Sequence, residues 1–238
     1  MVLGQVRTAD KSNEITAIPQ LLNLLSLQGT VITIDAMGTQ TAIAKQIIDS
    51  QSDYVLSVKE NQKNLEEQIR ESFYKVGAKK KAQSHQSIEL DHGRIETRLC
   101  YAIPVEGYLT HDLINNWEGL RTMVLIESCV EYKNGKKAGQ IMKEERMYIT
   151  SLPAQAERLN HIIRSHWGIE TSLHWILDVA FREDDNRTRM GNAPANLAIV
   201  RHLALNKLRQ ETTAKIGGKA KRKKAGWDHS YLLKVLKA

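Results

Sequence analysis

Val31-Ile-Thr-Ile-Asp35 and Tyr54-Val-Leu-Ser-Val58 decide the fold class. Each is a short apolar run rich in β-branched residues, the pattern of a strand buried on both faces. Between them the chain turns at Ala36-Met-Gly38. Residues 39–50 then carry Ile43, Ile47 and Ile48 at helical spacing. The alternation continues outward. Residues 2–8 read as a strand and 10–13 as a polar turn. Residues 14–27 read as a helix with Ile15, Ile18, Leu21, Leu22 and Leu25 on one side, stopped by Gln28-Gly29. Residues 61–76 read as a polar-faced helix that Asn61 is placed to cap. Strand–helix alternation of this kind predicts an α/β layer fold with at least one parallel pair.

The pattern changes after Gly77. Lys79-Lys80-Lys81 opens a polar stretch, and strand-like pieces follow at 93–103, 121–132 and 140–149. Asn134-Gly135 is a hairpin signal between the last two, so residues 84–150 form a β-rich section. A long helix is predicted after Pro153 to about Phe181, and another over 193–210. Gly217-Gly-Lys-Ala-Lys-Arg-Lys-Lys224 reads as flexible, with residues 212–226 poorly ordered in the isolated chain. Trp227, Tyr231, Leu232, Leu233, Val235 and Leu236 suit a short terminal helix.

A chain of 238 residues, 42% hydrophobic and 26% charged, can bury a core without staples. Two cysteines build no disulfide framework, which points to a reducing compartment. No apolar run reaches the roughly 20 residues of a membrane span. The N-terminus lacks the layout of a signal peptide. The expected location is the cytoplasm, with no membrane partner. The net charge of +7 is unevenly spread: residues 201–238 hold 11 Lys/Arg against 2 Asp/Glu, while the first 200 residues sum to −2. A basic tail suits nucleic acid, because Lys and Arg displace counterions from phosphates. The rival is a solvated end with no partner.

Asp35 is the first candidate for chemistry. It ends an apolar strand, at the carboxyl edge where open α/β sheets bind ligands. Its bland alternative is to cap the following helix. Glu170 is the second. It lies beside the apolar stripe of Leu159, Ile162, Ile163, Ile169, Leu173, Ile176 and Leu177. His166, Glu170, His174 and Asp178 recur every four residues along one helix edge. Three readings stand: Glu170 joins Asp35 in holding divalent metal; His166, Glu170 and His174 bind zinc; or the edge is salt-bridged, with Arg164 and Arg182 nearby. Arg187 and Arg189, in the mixed-charge turn after this helix, are placed to contact phosphates. His92, Arg94, Glu96 and Arg98 share one strand face by alternation, which suits either nucleic acid or solvent. Cys100 and Cys129 have no metal-ligand spacing, and no phosphate-binding glycine loop is present.

Several of these stretches resemble the ISAs1-type insertion-sequence transposases, of the wider IS4-like DDE group. They are Glu14-Ile-Thr-Ala-Ile-Pro19, Val31 to Gly38, Tyr54 to Gln62, His92 to Arg98 and, longest, His166 to Asp184. The resemblance implies an RNase H-like core, residues 1–77 plus 151–211, with a β-rich insertion at 78–150 before the last catalytic helix and a basic tail at 212–238. It implies that Asp35 is the second catalytic carboxylate and Glu170 the third, together holding Mg²⁺ or Mn²⁺ for cleavage and strand transfer of double-stranded DNA, at transposon ends and target. Together with the family signature at His166 and Arg164, the charge and alternation readings make Arg187, Arg189, Arg94 and Arg98, with Lys221, Arg222, Lys223 and Lys224 in the tail, the expected DNA contacts. A homodimer is left open. In the family the first Asp sits on an earlier strand, so the chain reads as N-terminally truncated and catalytically incomplete. An inert DNA-binding remnant is the alternative. Where the wider group has an Arg four residues before its Glu, this chain has His166, with Arg164 close by.

Overall fold

β1 (Val31–Ile34) and β2 (Asp53–Val58) lie parallel, Ile32 opposite Tyr54 and Ile34 opposite Leu56. The computed structural model describes residues 2–6, 14–91, 93–169 and 173–238. They divide into two units, Thr8–His166 and Met1–Arg7 with Trp167–Ala238.

In the first unit, α1 (Glu14–Asn23) precedes β1, α2 (Thr41–Asp49) links β1 to β2, and α3 (Lys63–Tyr74) and α4 (Ala78–Lys81) follow β2. Then come β3 (Gln83–Asp91), β4 (Arg94–Pro104), α5 (His111–Asn116), β5 (Thr122–Tyr132), β6 (Ile141–Thr150) and α6 (Ala156–Ile169). The six strands form one mixed sheet in the order β1-β2-β6-β5-β4-β3. The parallel pair joins the antiparallel meander through β2 and β6, Leu56 opposite Ile149. The β-rich section is therefore continuous with the sheet that carries Asp35.

Alternation along the strands separates two faces. Tyr54, Leu56, Met123, Leu125 and Ile149 face Ile43 and Ile47 of α2 and Leu65, Ile69 and Phe73 of α3 in the main core. Ile32 and Ile34 pack against that core, which leaves Thr33 on the other face. There α6 lies. Asn160 Nδ2 sits 3.0 Å from His85 Nδ1 and donates to Ser87 Oγ at 3.2 Å, both on β3. Arg164 binds Glu89 of β3, and His166 meets Thr33 of β1. In a flat sheet these edge strands would stand about 24 Å apart, five spacings of about 4.8 Å. One helix can bond both only because the sheet twists and coils around it.

The second unit contains α7 (Trp175–Phe181), α8 (Ala193–Gln210), α9 (Gly218–Trp227) and α10 (His229–Lys237). Leu208, Tyr231 and Val235 form its small core, with Phe181, Ala214 and Ala225 against them. Buried Glu211 is the polar hub. It accepts hydrogen bonds from Thr213 N at 2.7 Å, Thr213 Oγ1, Ala214 N at 3.3 Å and the Tyr231 hydroxyl at 2.7 Å. It also pairs with Lys221 at 3.6 Å. The hydrogen bonds from Thr213 and Tyr231 lower its carboxyl to about 2.

Four local expectations change. Residues 2–6 form no strand: the Asn206 side-chain amide bonds both Val2 N, at 2.9 Å, and Val2 O, at 2.8 Å, in place of a neighbouring strand. Asn61 does not cap α3, because its amide donates to Ala36 O at 2.5 Å. Asn134-Gly135 closes no two-residue turn. The amides of Lys133 and Asn134 are drawn to Gly93 O at 2.8 and 3.2 Å, and a 3₁₀ turn at Gly135–Lys137 completes the connection. Residues 218–227, expected to be disordered, are helical because Glu211, Phe181 and Tyr231 supply partners that the local sequence does not reveal.

Two outcomes follow. A Cβ at Gly38 would stand 2.4 Å from Ile34 Cγ2 and 2.6 Å from Ile18 Cδ1. Gly38→Ala is expected to destabilise the first unit by about 1–3 kcal/mol in urea denaturation. Glu211 titrates lower in the folded chain than its ordinary 4.5. Its contribution to the α8–α10 assembly is therefore complete above about pH 4.5 and lost as pH falls towards 2. Circular dichroism against pH should show that loss, and Glu211→Gln should remove this acid-dependent component.

Candidate functional site

Asp35 stands where β1 ends. Its backbone is still extended, φ −65° and ψ 164°, so strand alternation carries on through it from Thr33. Its side chain is exposed and makes no capping hydrogen bond. The capping role is thereby excluded, and the carboxylate is available at the carboxyl end of a parallel pair.

The turn beneath it is tightly held. Gly38 N donates to Asp35 O at 3.0 Å and Thr39 N to Ala36 O at 3.0 Å. Fully buried Thr39 donates its hydroxyl to Ser57 O of β2 at 2.6 Å. Asn61 and Gln62 reach across from the β2–α3 connection to Ala36 O and Thr39 O, at 2.5 and 2.9 Å. Two amide side chains thus fix backbone that would otherwise be a free loop, which holds the main chain at Asp35 in place at low entropic cost.

His166 Nδ1 lies 2.9 Å from Thr33 Oγ1, two residues before Asp35. Glu170, four residues after His166, lies outside the described residues, as do Asp10 and His92. Among the described residues no group of three His, Cys, Asp or Glu side chains could hold a metal ion. The zinc reading of His166 and His174 therefore finds no set of ligands among them.

The arginines take definite places. Arg164 makes a two-pronged ion pair with Glu89, its Nε 3.0 Å from both carboxylate oxygens and its Nη2 2.7 Å from Oε2. Arg98 does share a strand face with Arg94 and Glu96, but it is buried there, bonded to Glu96 at 2.5 Å and 3.6 Å from Glu89. Hydrogen bonding from Arg164, with Arg98 adding its charge, holds the Glu89 carboxyl below its usual range. Arg94 is half-buried, and its Nε has no hydrogen-bond partner among the described residues. Alternation shows that these side chains share a face but not that the face is lined by carboxylates. Glu89, which organises them, was missed, although it alternates with His85 and Ser87 along β3.

In the second unit Arg187 is exposed, and Arg189 is exposed with its Nη1 donating to Asn186 O and Thr188 O at 2.9 Å. The tail cations divide. Lys221 is turned inward to Glu211 and to Leu208 O, and Lys224 stacks on the Tyr231 ring at 4.6 Å. Arg222 lies 5.7 Å from the Phe181 ring yet remains exposed, and Lys223 is exposed. Both cysteines are free thiols; burial pushes Cys100 up to about 12, which makes it inert. Among the described residues no helix is long and apolar enough to cross a membrane.

Known proteins match along nearly the whole length. "Putative transposase YncI" of Escherichia coli O157:H7 is 44% identical over 237 residues, covering 99% of this chain and 60% of that protein. "H repeat-associated putative transposase YhhI" of Escherichia coli strain K12 is 39% identical over 241 residues, covering 99% of this chain and 62% of that protein. The chain thus spans about 60% of the length of these curated relatives. Residues 1–207 match the family described as "Transposase DDE domain", and the chain belongs to that family of transposases.

Proposed function

We propose that Asp35 and Glu170 are the second and third carboxylates of a DDE-type site that cuts double-stranded DNA and joins it to a target, on an RNase H-like core of the ISAs1 type. The observation that carries the proposal is the Thr33–His166 hydrogen bond. It ties α6 to β1 on the face that Thr33 shares with Asp35, and Glu170 follows His166 by four residues in the sequence.

Asp35 fits a hard divalent cation: it offers carboxylate oxygens, is exposed, and is not consumed by a cap. When bound, Mg²⁺ or Mn²⁺ would stabilise the attacking and leaving oxygens of an in-line phosphoryl transfer. The protein's part is positional. Asn61 and Gln62 hold the Asp35 turn, and Thr33 orients the His166 ring. Arg164 pairs with Glu89 and so ties α6 to β3, and Arg98 pairs with Glu96 within β4. Among the cations assigned to DNA, Arg187, Arg189, Arg222 and Lys223 are exposed and suit the phosphate backbone.

Calorimetric titration of the chain with Mn²⁺ tests the site directly. Asp35→Asn and Glu170→Gln are each expected to weaken binding at least about tenfold, or about 1.4 kcal/mol. Unchanged binding in both variants would end the proposal. Strand cleavage of DNA carrying transposon ends then separates chemistry from binding alone. Cleavage abolished by Asp35→Asn supports catalysis by this chain, whereas background cleavage by the unaltered chain supports the alternative, a DNA-binding remnant without chemistry.

A further inference from the structure

β3 is the last strand of the sheet, and its outer edge is open. Among the described residues no segment hydrogen-bonds the main chain of residues 83–91 from the side away from β4. An edge of this kind presents a row of unpaired N–H and C=O groups, which proteins blunt with proline, lysine, a bulge or short length. β3 has none of these. It runs nine residues, holds neither Pro nor Lys, and keeps an unbroken register with β4. The opposite edge, β1, is only four residues long.

We infer that the chain forms a two-fold dimer through β3, the strand pairing antiparallel with its own copy so that two six-stranded sheets become one. The strand is complementary to itself. Ser87 is its middle residue, so an axis at Ser87 pairs the whole strand, Gln83 with the partner's Asp91 and onward. On the α6 face His85 then stands opposite the partner's Glu89 at both ends of the seam. Both side chains are half-buried and reachable, and Glu89 is kept ionised by Arg164. Ser87 meets Ser87; its Oγ accepts from Asn160, which leaves the hydroxyl hydrogen to donate across the axis. On the other face Ile88, 60% exposed, lies diagonal to its own counterpart, within side-chain reach. Leu90, 79% exposed, lies opposite the partner's Ser84. No like charges come face to face. Moving the axis to Glu89 would set two carboxylates together and leave residues 83–86 unpaired. An extended peptide of another protein would meet the same main chain, but the charge reversal about Ser87 is a match of this strand with itself and favours a second copy.

Sedimentation velocity of the whole chain across a range of concentrations tests the dimer. A reversible monomer–dimer equilibrium with nothing larger is expected, because pairing about a two-fold axis uses the edge of both copies. Ile88→Lys is expected to weaken association at least about tenfold, by setting two lysines on the diagonal of the seam, and Ile88→Val to keep it. Ile88 is exposed in the single chain, so the far-ultraviolet circular dichroism of both variants should match the unaltered chain. Cross-linking reads the register. In a chain whose native cysteines are replaced by alanine, Ser87→Cys is expected to form an intermolecular disulfide faster than Gln83→Cys, although Gln83 is the more exposed. Opposed residues have Cα atoms about 4.5–5.5 Å apart, within disulfide reach. The two Gln83 positions would stand about 27 Å apart, at opposite ends of the seam. A chain that stays monomeric at every concentration overturns the inference. So does association that grows beyond the dimer, a dimer that Ile88→Lys leaves intact, or Gln83→Cys linking as fast as Ser87→Cys.

Discussion

Helix α6 is bonded at once to both edges of a six-stranded sheet, and the remainder of the first unit is arranged around that constraint. At one edge the Arg164 guanidinium grips Glu89 with both prongs, while Asn160 engages His85 and Ser87. At the other His166 meets Thr33. Surface ion pairs contribute little as a rule, but this one is bidentate, half-buried and shared with buried Arg98. Losing Glu89 would leave Arg98 with one fewer carboxylate in a place where water cannot replace it. The network thus acts on specificity of placement: it sets the rotation and the register of α6 against β1.

That register matters because the main chain at Asp35 is fixed. Its turn is stitched to Ser57 through Thr39 and to the β2–α3 connection through Asn61 and Gln62. Gly38 is there because Ile18 and Ile34 occupy the space a side chain would need. A carboxylate carried on so firmly held a turn at a strand end, and left without a capping bond, is suited to meet a ligand. In the second unit the same economy appears in reverse. One buried carboxylate, Glu211, gathers the loop amides of residues 213–214, Lys221 and Tyr231, and so converts a lysine-rich stretch into a helix.

What could be read from the sequence follows the range of the interactions. β1 and β2 were legible because burial on both faces leaves continuous apolar runs, and α8 because its length and Pro194 near the start mark it locally. β3 was not among the strands foreseen, since Gln83-Ser-His-Gln-Ser-Ile-Glu-Leu-Asp91 is mostly polar and is held by its partner β4 and by α6. The ion pair of Arg164 with Glu89 could not be read from the sequence because its partner stands 75 residues earlier in the chain. The order of α9 was invisible for the same reason: Gly, Lys and Ala say little locally, and the stabilising groups come from Phe181, Glu211 and Tyr231. Asp35 was legible because a carboxylate closing an apolar strand breaks the local pattern. Family resemblance, not periodicity, drew Glu170 to it.

The central claim is the pairing of Asp35 with Glu170, and the most direct measurement is cross-linking of the two positions. Two metal ions about 4 Å apart, with oxygen ligands about 2 Å beyond each, allow the carboxylates a separation of about 8 Å. In a chain whose native cysteines are replaced by alanine, Asp35→Cys with Glu170→Cys is expected to be joined rapidly by a dithiol reagent of that span, and His166→Ala should slow the reaction. Failure of the pair to cross-link, while a control pair at Thr33 and His166 does so, would contradict the account.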